Sequence, residues 1–591
     1  MFAENNLEVP QFTDELRESI LEHASSSFDW SEISPTIFGA VFESTLNPET
    51  RRSGGMHYTS IENIHKVIDP LFLDALKEEL NEIRQIKQPA ALKNRAQQFQ
   101  EKLSRLVFFD PACGSGNFLT ETYLSLRRLE NEAIKLYVGD TVLLDVGYDL
   151  VKVKISQLYG IEINDFAVSV ANAALWIAES QMLEETMSIV YSNIDFLPIK
   201  SYSNIVEGNA LTLNWEEIVP KDKLSYIIGN PPFVGVRHSK ENHREQLKRV
   251  LSIIPQSGGL DYVTSWFVKA ASLMEVNKKI RTAFVSTNSI VQGEQATTLW
   301  KYLLEAKGLV INFAYRTFTW NSDAKDKAAV HCVIIGYSFN EDSLRIIYDK
   351  EAKTICKNIN QYLLPAQNVW VLKSRKPLTV RPEMQKGCYP TDGGNYIFQK
   401  DEMYKFIKEE PNSQKYFRRW IGAEDMLNGK ERYILYLKDS HPNELRKMPK
   451  VIERVKGVIN TRLSSSKAAT RIKAETPLLL DEERIPLKEF LVIPVVSSEN
   501  RKYIPIEYHC PPDICYASCF FVDGADLFTF GLLMSNVHNA WMRVVAGRLK
   551  SDYRYSNTLV YNNFPLPDVN ETQKEYISKT AQGILDARAL E

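Results

Sequence analysis

An apolar run, Leu106-Val107-Phe108-Phe109, leads directly into Asp110-Pro111-Ala112-Cys113-Gly114-Ser115-Gly116-Asn117-Phe118-Leu119. Few patterns restrict a fold more. A buried strand that ends in an acid, turns through two glycines and opens a helix is the entry to a doubly wound α/β sheet, with a ligand at the strand's carboxyl end. Gly114 and Gly116 allow close approach of backbone to that ligand, and Asp110 is placed to hold an ammonium group. A dinucleotide loop carries a third glycine where Leu119 stands here, so a smaller zwitterionic ligand suits this loop better than a pyrophosphate. Cys113 reads as a packing residue, because no histidine base stands near it in sequence.

The strand signal recurs at intervals, each time with polar residues at its end. Leu158-Tyr159-Gly160-Ile161-Glu162-Ile163-Asn164 ends in an acid, and Glu162 at that edge is placed to receive two ribose hydroxyls. Its distance from the glycine loop exceeds the dinucleotide spacing, and an insertion over 137–154 accounts for the excess. Asp165 then starts an alanine-rich helix through Ile177. Ile205 to Leu211 forms a third edge, with Asn209 able to read an adenine. Leu224 to Ile228 forms a fourth, which stops at Asn230-Pro231-Pro232-Phe233. Two prolines forbid helix and supply no amide hydrogens, so carbonyl oxygens remain at the strand end. Asn230 adds an amide acceptor, and Phe233 a flat apolar ring. Together they suit a planar base with an exocyclic amine. Alone, a stiff Pro-Pro loop beside a core phenylalanine is an equal reading. Arg281 to Val285, followed by Thr287-Asn288, gives a fifth strand, and Val330 to Ile335 a last one. One polar strand edge arises by chance; four at successive edges do not. The pattern predicts an α/β sheet.

Flanking this sheet, residues 11–48 and 61–105 read as helical, joined by Arg51-Arg52-Ser53-Gly54-Gly55-Met56-His57-Tyr58-Thr59-Ser60. Thr59 or Ser60 caps the second helix, whose free amides favour a carboxylate; a plain helix–loop–helix is the competing reading. The expected domains are a helical region over 1–100, a catalytic domain over 101–340, an α+β domain over 341–540 and a tail over 541–591. The 341–540 region is rich in aromatics and prolines, with strand-like runs at Tyr433–Leu437, Phe490–Val496 and Cys519–Val522. Between Arg446 and Lys473 lies a basic helical segment. Lys450, Arg454, Lys456, Arg462 and Lys467 there are spaced to track phosphates, against the alternative of a solvated helix face. His509, Cys510, Cys515 and Cys519 lack paired Cys-x-x-Cys spacing, so no metal site is expected.

The totals narrow the classes. At 591 residues the chain holds about four domains' worth of sequence, and 44% hydrophobic with 25% charged residues excludes disorder and fibres. No apolar run spans a bilayer, and the first residues lack a signal core. Seven scattered cysteines point to a reducing cytoplasm. A net charge of −3 excludes a wholesale nucleic-acid coat, so any nucleic-acid contact must come from local basic patches.

These residues resemble class I S-adenosylmethionine-dependent DNA adenine-N6 methyltransferases of the gamma arrangement, and more closely the MmeI-like, type IIL restriction–modification family. Gly55 to Ser60, with His57, Tyr58 and Thr59, is similar to that group's N-terminal cofactor motif. Asp110, Ala112, Gly114, Gly116 and Asn117 match its methionine-binding loop, Glu162 its ribose acid with Ile163 beside it as a further cofactor-binding residue, and Asn209 its adenine-contacting position, often an Asp. Asn230, Pro231, Pro232 and Phe233 match its catalytic motif. Phe109–Glu130, ending Leu126-Arg127-Arg128-Leu129-Glu130, resembles the family, as do Asn288–Gln295, Gly547–Ser556 and Val560–Pro565. The resemblance runs from about residue 28 onward. It implies a Rossmann-like methyltransferase sheet, a helical N-terminal region and a C-terminal α+β target recognition domain. The implied activity is methyl transfer from S-adenosyl-L-methionine to adenine N6 in double-stranded DNA, within restriction–modification or phage defence. Many members carry an N-terminal nuclease. No Asp…Glu-x-Lys constellation stands here, so a methyltransferase-only form, a split-gene subunit or a truncation is expected, any of which leaves room for a separate nuclease or defence-system subunit as partner. The rival readings are a catalytically idle DNA-binding or phage-sensing subunit and a methyltransferase of protein glutamine or RNA.

Overall fold

The computed structural model describes residues 12–22, 34–36, 59–138, 150–190, 204–235, 241–320, 330–340 and 344–590. They form two compact units. One runs to Val369 without Gln292–Glu294; the other comprises Gln292–Glu294 and Trp370–Glu591.

The first unit is built on strands β1 (Phe108–Asp110), β2 (Leu158–Glu162), β3 (Asn204–Glu207), β4 (Tyr226–Gly229), β5 (Arg281–Thr287), β6 (Val310–Trp320), β7 (Val330–Ser338), β8 (Arg345–Asp349) and β9 (Ala352–Cys356). They make one nine-stranded sheet in the order β3-β2-β1-β4-β5-β7-β6-β8-β9. β3, β2, β1, β4 and β5 are mutually parallel, and β7 then enters antiparallel to both β5 and β6. The strand order reverses between β1 and β4, the place where doubly wound sheets open a crevice at their carboxyl ends. All of β1 and the middle of β5 are buried, as expected for parallel strands covered on both faces.

The helices Ile61–Ile68, Asp74–Arg84 and Pro89–Ser104 supply part of that cover. Ile64, Val67, Leu76, Leu80, Phe99 and Leu103 join Phe108, Ile228 and Val285 in one core. Phe72 lies 5.0 Å from the Phe108 ring, which stacks on Tyr226 at 5.2 Å. The expected helical stretch over 61–105 widens at Asp69–Leu73, a π-type turn containing Pro70, and breaks between Arg84 and Pro89. A proline has no N–H for the helical ladder, and the widened turn accommodates that loss.

The long helix Asn117–Val138 leaves the glycine loop and carries the wholly buried Arg127 and Glu130 as an ion pair. Arg127 also donates to the Met182 carbonyl and to Thr186 Oγ1. Glu130 accepts from Gln100 and from the Lys152 backbone at 2.7 Å. A charge pair taken out of water persists when hydrogen bonds offset its lost hydration, and here they come from three different segments.

Two expectations shift. β6 was not anticipated, because β-bulges between Ile311 and Phe313 and between Tyr315 and Phe318 interrupt its two-residue period. The break expected at 340 falls at Val369, because β8 and β9 extend the same sheet, β8 pairing parallel to β6.

The second unit holds three smaller sheets. β10 (Met384–Lys386), β14 (Phe490–Pro494), β16 (Glu507–His509) and β18 (Cys519–Asp523) form the order β10-β18-β14-β16. β11 (Ile397–Gln399), β12 (Phe417–Ile421), β13 (Arg432–Leu435) and β17 (Ile514–Cys515) form β11-β13-β12-β17, while β15 (Val496–Ser497), β19 (Gly547–Leu549) and β20 (Asp552–Arg554) form β15-β20-β19. The residues expected as a tail beyond 541 lie inside this unit: Met542, Tyr553, Tyr555, Val560, Tyr561 and Ala581 share a core with Leu491, Val522 and Phe530. Among the described residues no helix is long and apolar enough to cross a membrane.

Candidate active site

Asp110 ends β1 completely buried. Its Oδ1 accepts the Ala112 N–H at 3.0 Å, and its Oδ2 is buried with no hydrogen-bond partner. Burial pushes its carboxyl up to about 8, the Ala112 N–H opposing and the Glu162 charge adding. Gly229, at the end of the adjacent β4, has a φ of +149°, and a β-carbon there would lie 2.4 Å from Asp110 Oδ1. Only glycine lets these two strand ends lie side by side.

Beyond Asp110 the chain turns through Gly114, whose φ is +55° and whose missing β-carbon would meet nothing within 4 Å, so the loop faces open space. The Gly114 N–H donates to Glu162 Oε2 at 3.0 Å, and Asn164 N–H donates to Oε1 at 3.0 Å. Glu162 ends β2 buried, its pKa raised by that burial against the pull of these amides. Each of its oxygens keeps a second lone pair for another donor. Asn117, on the first turn of its helix, is buried with Oδ1 unpartnered. Cys113 is buried against Gly160 with its thiol pushed far up by desolvation, which makes it a wall and not a nucleophile.

Ile163, next to Glu162, is 62% exposed beside this hollow. Asn209 lies just past β3 and turns Oδ1 to the Leu211 N–H at 2.9 Å, which leaves Nδ2 as its donor for a ligand.

On the other side of the switch point, β4 runs out into Asn230. Its Nδ2 donates to Thr59 Oγ1 at 3.3 Å, while its Oδ1 is buried and without a partner. Pro231 is buried, and Phe233 is half-buried against the sheet's core. Thr59 is buried one residue before Ser60, the N-cap of the helix Ile61–Ile68; Ser60 makes no side-chain capping bond. His57 and Tyr58 lie outside the described residues. The fold thus brings Thr59, Asp110, Gly114, Asn117, Glu162, Asn209 and Asn230 to neighbouring loops at one edge of the sheet.

Two supports carried no sequence signal of their own, since each reads as a member of an ordinary buried helix, Thr264–Val276. Trp266 Nε1 donates to the Pro111 carbonyl at 3.1 Å. Lys269 Nζ donates to the Ala210 and Leu213 carbonyls at 2.6 Å each, fixing the turn that follows Asn209. Burial, with Arg249 nearby, lowers the Lys269 ammonium to about 8.

The basic segment of the second unit divides sharply. The helix Pro449–Leu463 forms as expected, but Arg462 is only 1% exposed. It donates to the carbonyls of Pro390, Thr391, Lys473, Thr476 and Leu479. This corrects its expected role as a phosphate contact: all three guanidinium nitrogens are spent on backbone. Arg454 lies over the Phe398 ring at 4.8 Å, and Lys450 pairs with Glu409. Lys456 and Lys467 are exposed, with no ion-pair partner among the described residues. His509 sits between Glu507 and Asp513, and Cys515 and Cys519 are buried.

Comparison with known proteins identifies the family. Residues 84–349 match the family described as "MmeI, DNA-methyltransferase domain", and residues 365–568 match "MmeI, target recognition domain". The solved structure of the type IIL restriction–modification enzyme MmeI in complex with DNA is 41% identical with a TM-score of 0.88, covering 98% of this chain and 77% of its own. DNA methyltransferase A of Bacillus subtilis is 36% identical over 592 residues, which is 100% of this chain and 66% of that relative's length. A putative type II restriction enzyme and methyltransferase of Methanocaldococcus jannaschii is 25% identical over 41% of this chain and 22% of its own length. The chain belongs to the MmeI family, with a DNA-methyltransferase domain followed by a target recognition domain.

Proposed function

We propose that this chain methylates adenine at N6 within a specific sequence of duplex DNA, using S-adenosylmethionine, as the modification activity of a restriction–modification or phage-defence system. The residues present fit that cofactor. The orphaned buried Oδ2 of Asp110 and Oδ1 of Asn117, below an open glycine turn, suit the ammonium end of a zwitterion. When bound, the cofactor supplies a methyl group on a sulfonium, whose departing thioether is neutral. Asp110 holds its ammonium, Glu162 receives its ribose hydroxyls, and Ile163 with Asn209 Nδ2 borders its adenine. Thr59 stands beside Asn230, and the family resemblance assigns His57 and Tyr58, which lie outside the described residues, to the same cofactor.

The observation that carries the reading is Asn230 Oδ1. Its amide is anchored through Nδ2 to Thr59, and the buried oxygen is left without a donor. An unpaired buried acceptor costs about 1–3 kcal/mol, and an incoming amine removes that cost. The target base must leave the duplex to reach it. Asn230 and the Pro231 carbonyl then accept from N6, Pro232 stiffens the turn, and Phe233 stacks on the ring. Fixing the amine in line with the methyl group supplies much of the rate. The 365–568 region selects the site, with Lys450, Arg454, Lys456 and Lys467 facing phosphates. A nuclease or another defence-system chain in the cytoplasm is the partner this reading implies.

The test is single-molecule sequencing of methylated bases in a host expressing the chain, beside Asn230→Ala. The expected result is methyladenine at one recurring sequence, lost in the variant, while calorimetry shows cofactor binding retained. Cofactor binding without DNA methylation by the unaltered chain would point instead to an idle DNA-binding subunit or to a protein or RNA substrate.

A further inference from the structure

The loop carrying Asn230 and Phe233 belongs to no strand or helix, yet it is anchored twice. One anchor is the Asn230–Thr59 bond. The other lies four residues on, where the Val234 carbonyl accepts the Tyr262 N–H at 3.1 Å. Asp261, just before Tyr262, faces the same stretch: a β-carbon built on Gly235 would lie 3.9 Å from Asp261 Oδ1.

Asp261 is itself held from behind. Ser289 Oγ donates to Asp261 Oδ2 at 2.5 Å, the Thr287 and Ser289 hydroxyls lie 2.8 Å apart, and the Asp261 N–H donates to Gln295 Oε1 at 3.0 Å. The Asp261 carbonyl accepts from both the N–H and the hydroxyl of Thr264, at the start of the helix Thr264–Val276. Tyr262 is fixed by its hydroxyl bond to Gln246 and by edge contact with Trp266 at 5.2 Å. Within the stretch Asn288–Gln295, which the cofactor cradle leaves without a role, Ser289 and Gln295 are therefore the residues that hold this corner.

We propose that Asp261 is a positioning residue: braced by Ser289 and Gln295, the Asp261-Tyr262 corner fixes the far end of the Asn230–Gly235 loop and so aligns Asn230 and Phe233 for transfer. This rests on the reading of that loop as the base-binding element. Misplacing a reacting group by about an ångström costs on the order of a hundredfold in rate, and this corner touches the loop directly, reaching the cofactor cradle only through the Trp266 and Lys269 bonds of the helix that follows it.

The test measures tritiated methyl transfer from S-adenosylmethionine to unmethylated plasmid DNA by the full chain. Asp261→Ala is expected to lower kcat about 10–100-fold and to leave KM for S-adenosylmethionine within about twofold. Ser289→Ala is expected to lower kcat by a smaller factor. The double variant is expected to be no worse than Asp261→Ala, because residues acting through one network are not additive. Asp261→Asn, which keeps the shape and one acceptor, is expected to restore most of the rate. Unchanged kcat in Asp261→Ala overturns the proposal, as does an equal loss of cofactor affinity or strict additivity with Ser289→Ala. Should Asp261→Ala fail to fold, Ser289→Ala carries the test, and its unchanged kcat overturns the proposal as well. Inactivity of the unaltered chain overturns the base-binding reading itself, an outcome distinct from all of these.

Discussion

Asp110 is a carboxylate that its surroundings make reluctant to ionise. Burial raises it to about 8, so in the unliganded protein at pH 7 it holds a proton that it would give up beside an ammonium group. Binding of S-adenosylmethionine at pH 7 is therefore expected to release close to one proton. Calorimetry in buffers of different ionisation enthalpy checks this, and Asp110→Asn is expected to abolish the release. The stability sign follows from linkage. The folded pKa lies above the ordinary value of 3.8, so the native state binds more protons between the two, and this group's contribution declines as pH rises from about 4 to about 8. Glu162 acts at the other end of the same hollow. Glu162→Ala is expected to weaken cofactor binding by roughly 1.5–3 kcal/mol, the scale of hydrogen bonds to a charged group; an unchanged dissociation constant would place the ribose elsewhere.

Between elements, the notable link is His65, which joins the helix behind Thr59 to the helix that leaves the glycine loop. Its Nδ1 lies 2.8 Å from Asp69 and its Nε2 lies 3.3 Å from Glu121, which also meets Arg128 at 3.2 Å. The bonds to Asp69 and Glu121 raise its pKa to about 9. A raised histidine contributes fully below its unfolded pKa of about 6.5 and loses that contribution as pH climbs through the folded value. Between pH 7 and 9.5 the thermal midpoint is expected to fall further in the unaltered protein than in His65→Gln, and melting scans over that range decide it. Elements with local signals were legible in the sequence: β1, β2 and β4 each end in a turn that names its own position. β6 was not, because its two bulges come from pairing with β7, a property of the sheet and not of the strand.

At the scale of the whole molecule the proposed function assigns chemistry to the first unit and recognition to the second, and the basic segment tests that division. Each phosphate contact contributes about one unit to the slope of binding against salt. Lys456→Ala and Lys467→Ala are each expected to lower that slope by about one, measured on specific and random duplexes alike. Arg462→Ala is expected to leave the slope unchanged and to destabilise the second unit by about 3 kcal/mol, the upper end of ordinary single substitutions, because five carbonyls lose their donor. Exchanging 365–568 for the corresponding region of the Bacillus relative is expected to change which adenine is methylated while turnover is retained; methylation mapping of the chimera decides this.

Sequence alone was enough to locate the glycine loop, the acid ending β2 and the Asn-Pro-Pro-Phe edge. Apolar periodicity and turn chemistry are local properties, and a strand end announces itself within a few residues. Tertiary structure alone decided the partners. Thr59 meets Asn230 across 171 positions, and Ser289 braces Asp261 across 28, contacts that no window of sequence contains. Nor does composition reveal which way a cation faces. Lys456 and Arg462 stand on one helix with the same expected role, yet one is exposed and the other wholly spent on carbonyls. Charge is written in the residue type, but whether that charge meets solvent or backbone depends on what the rest of the chain packs around it.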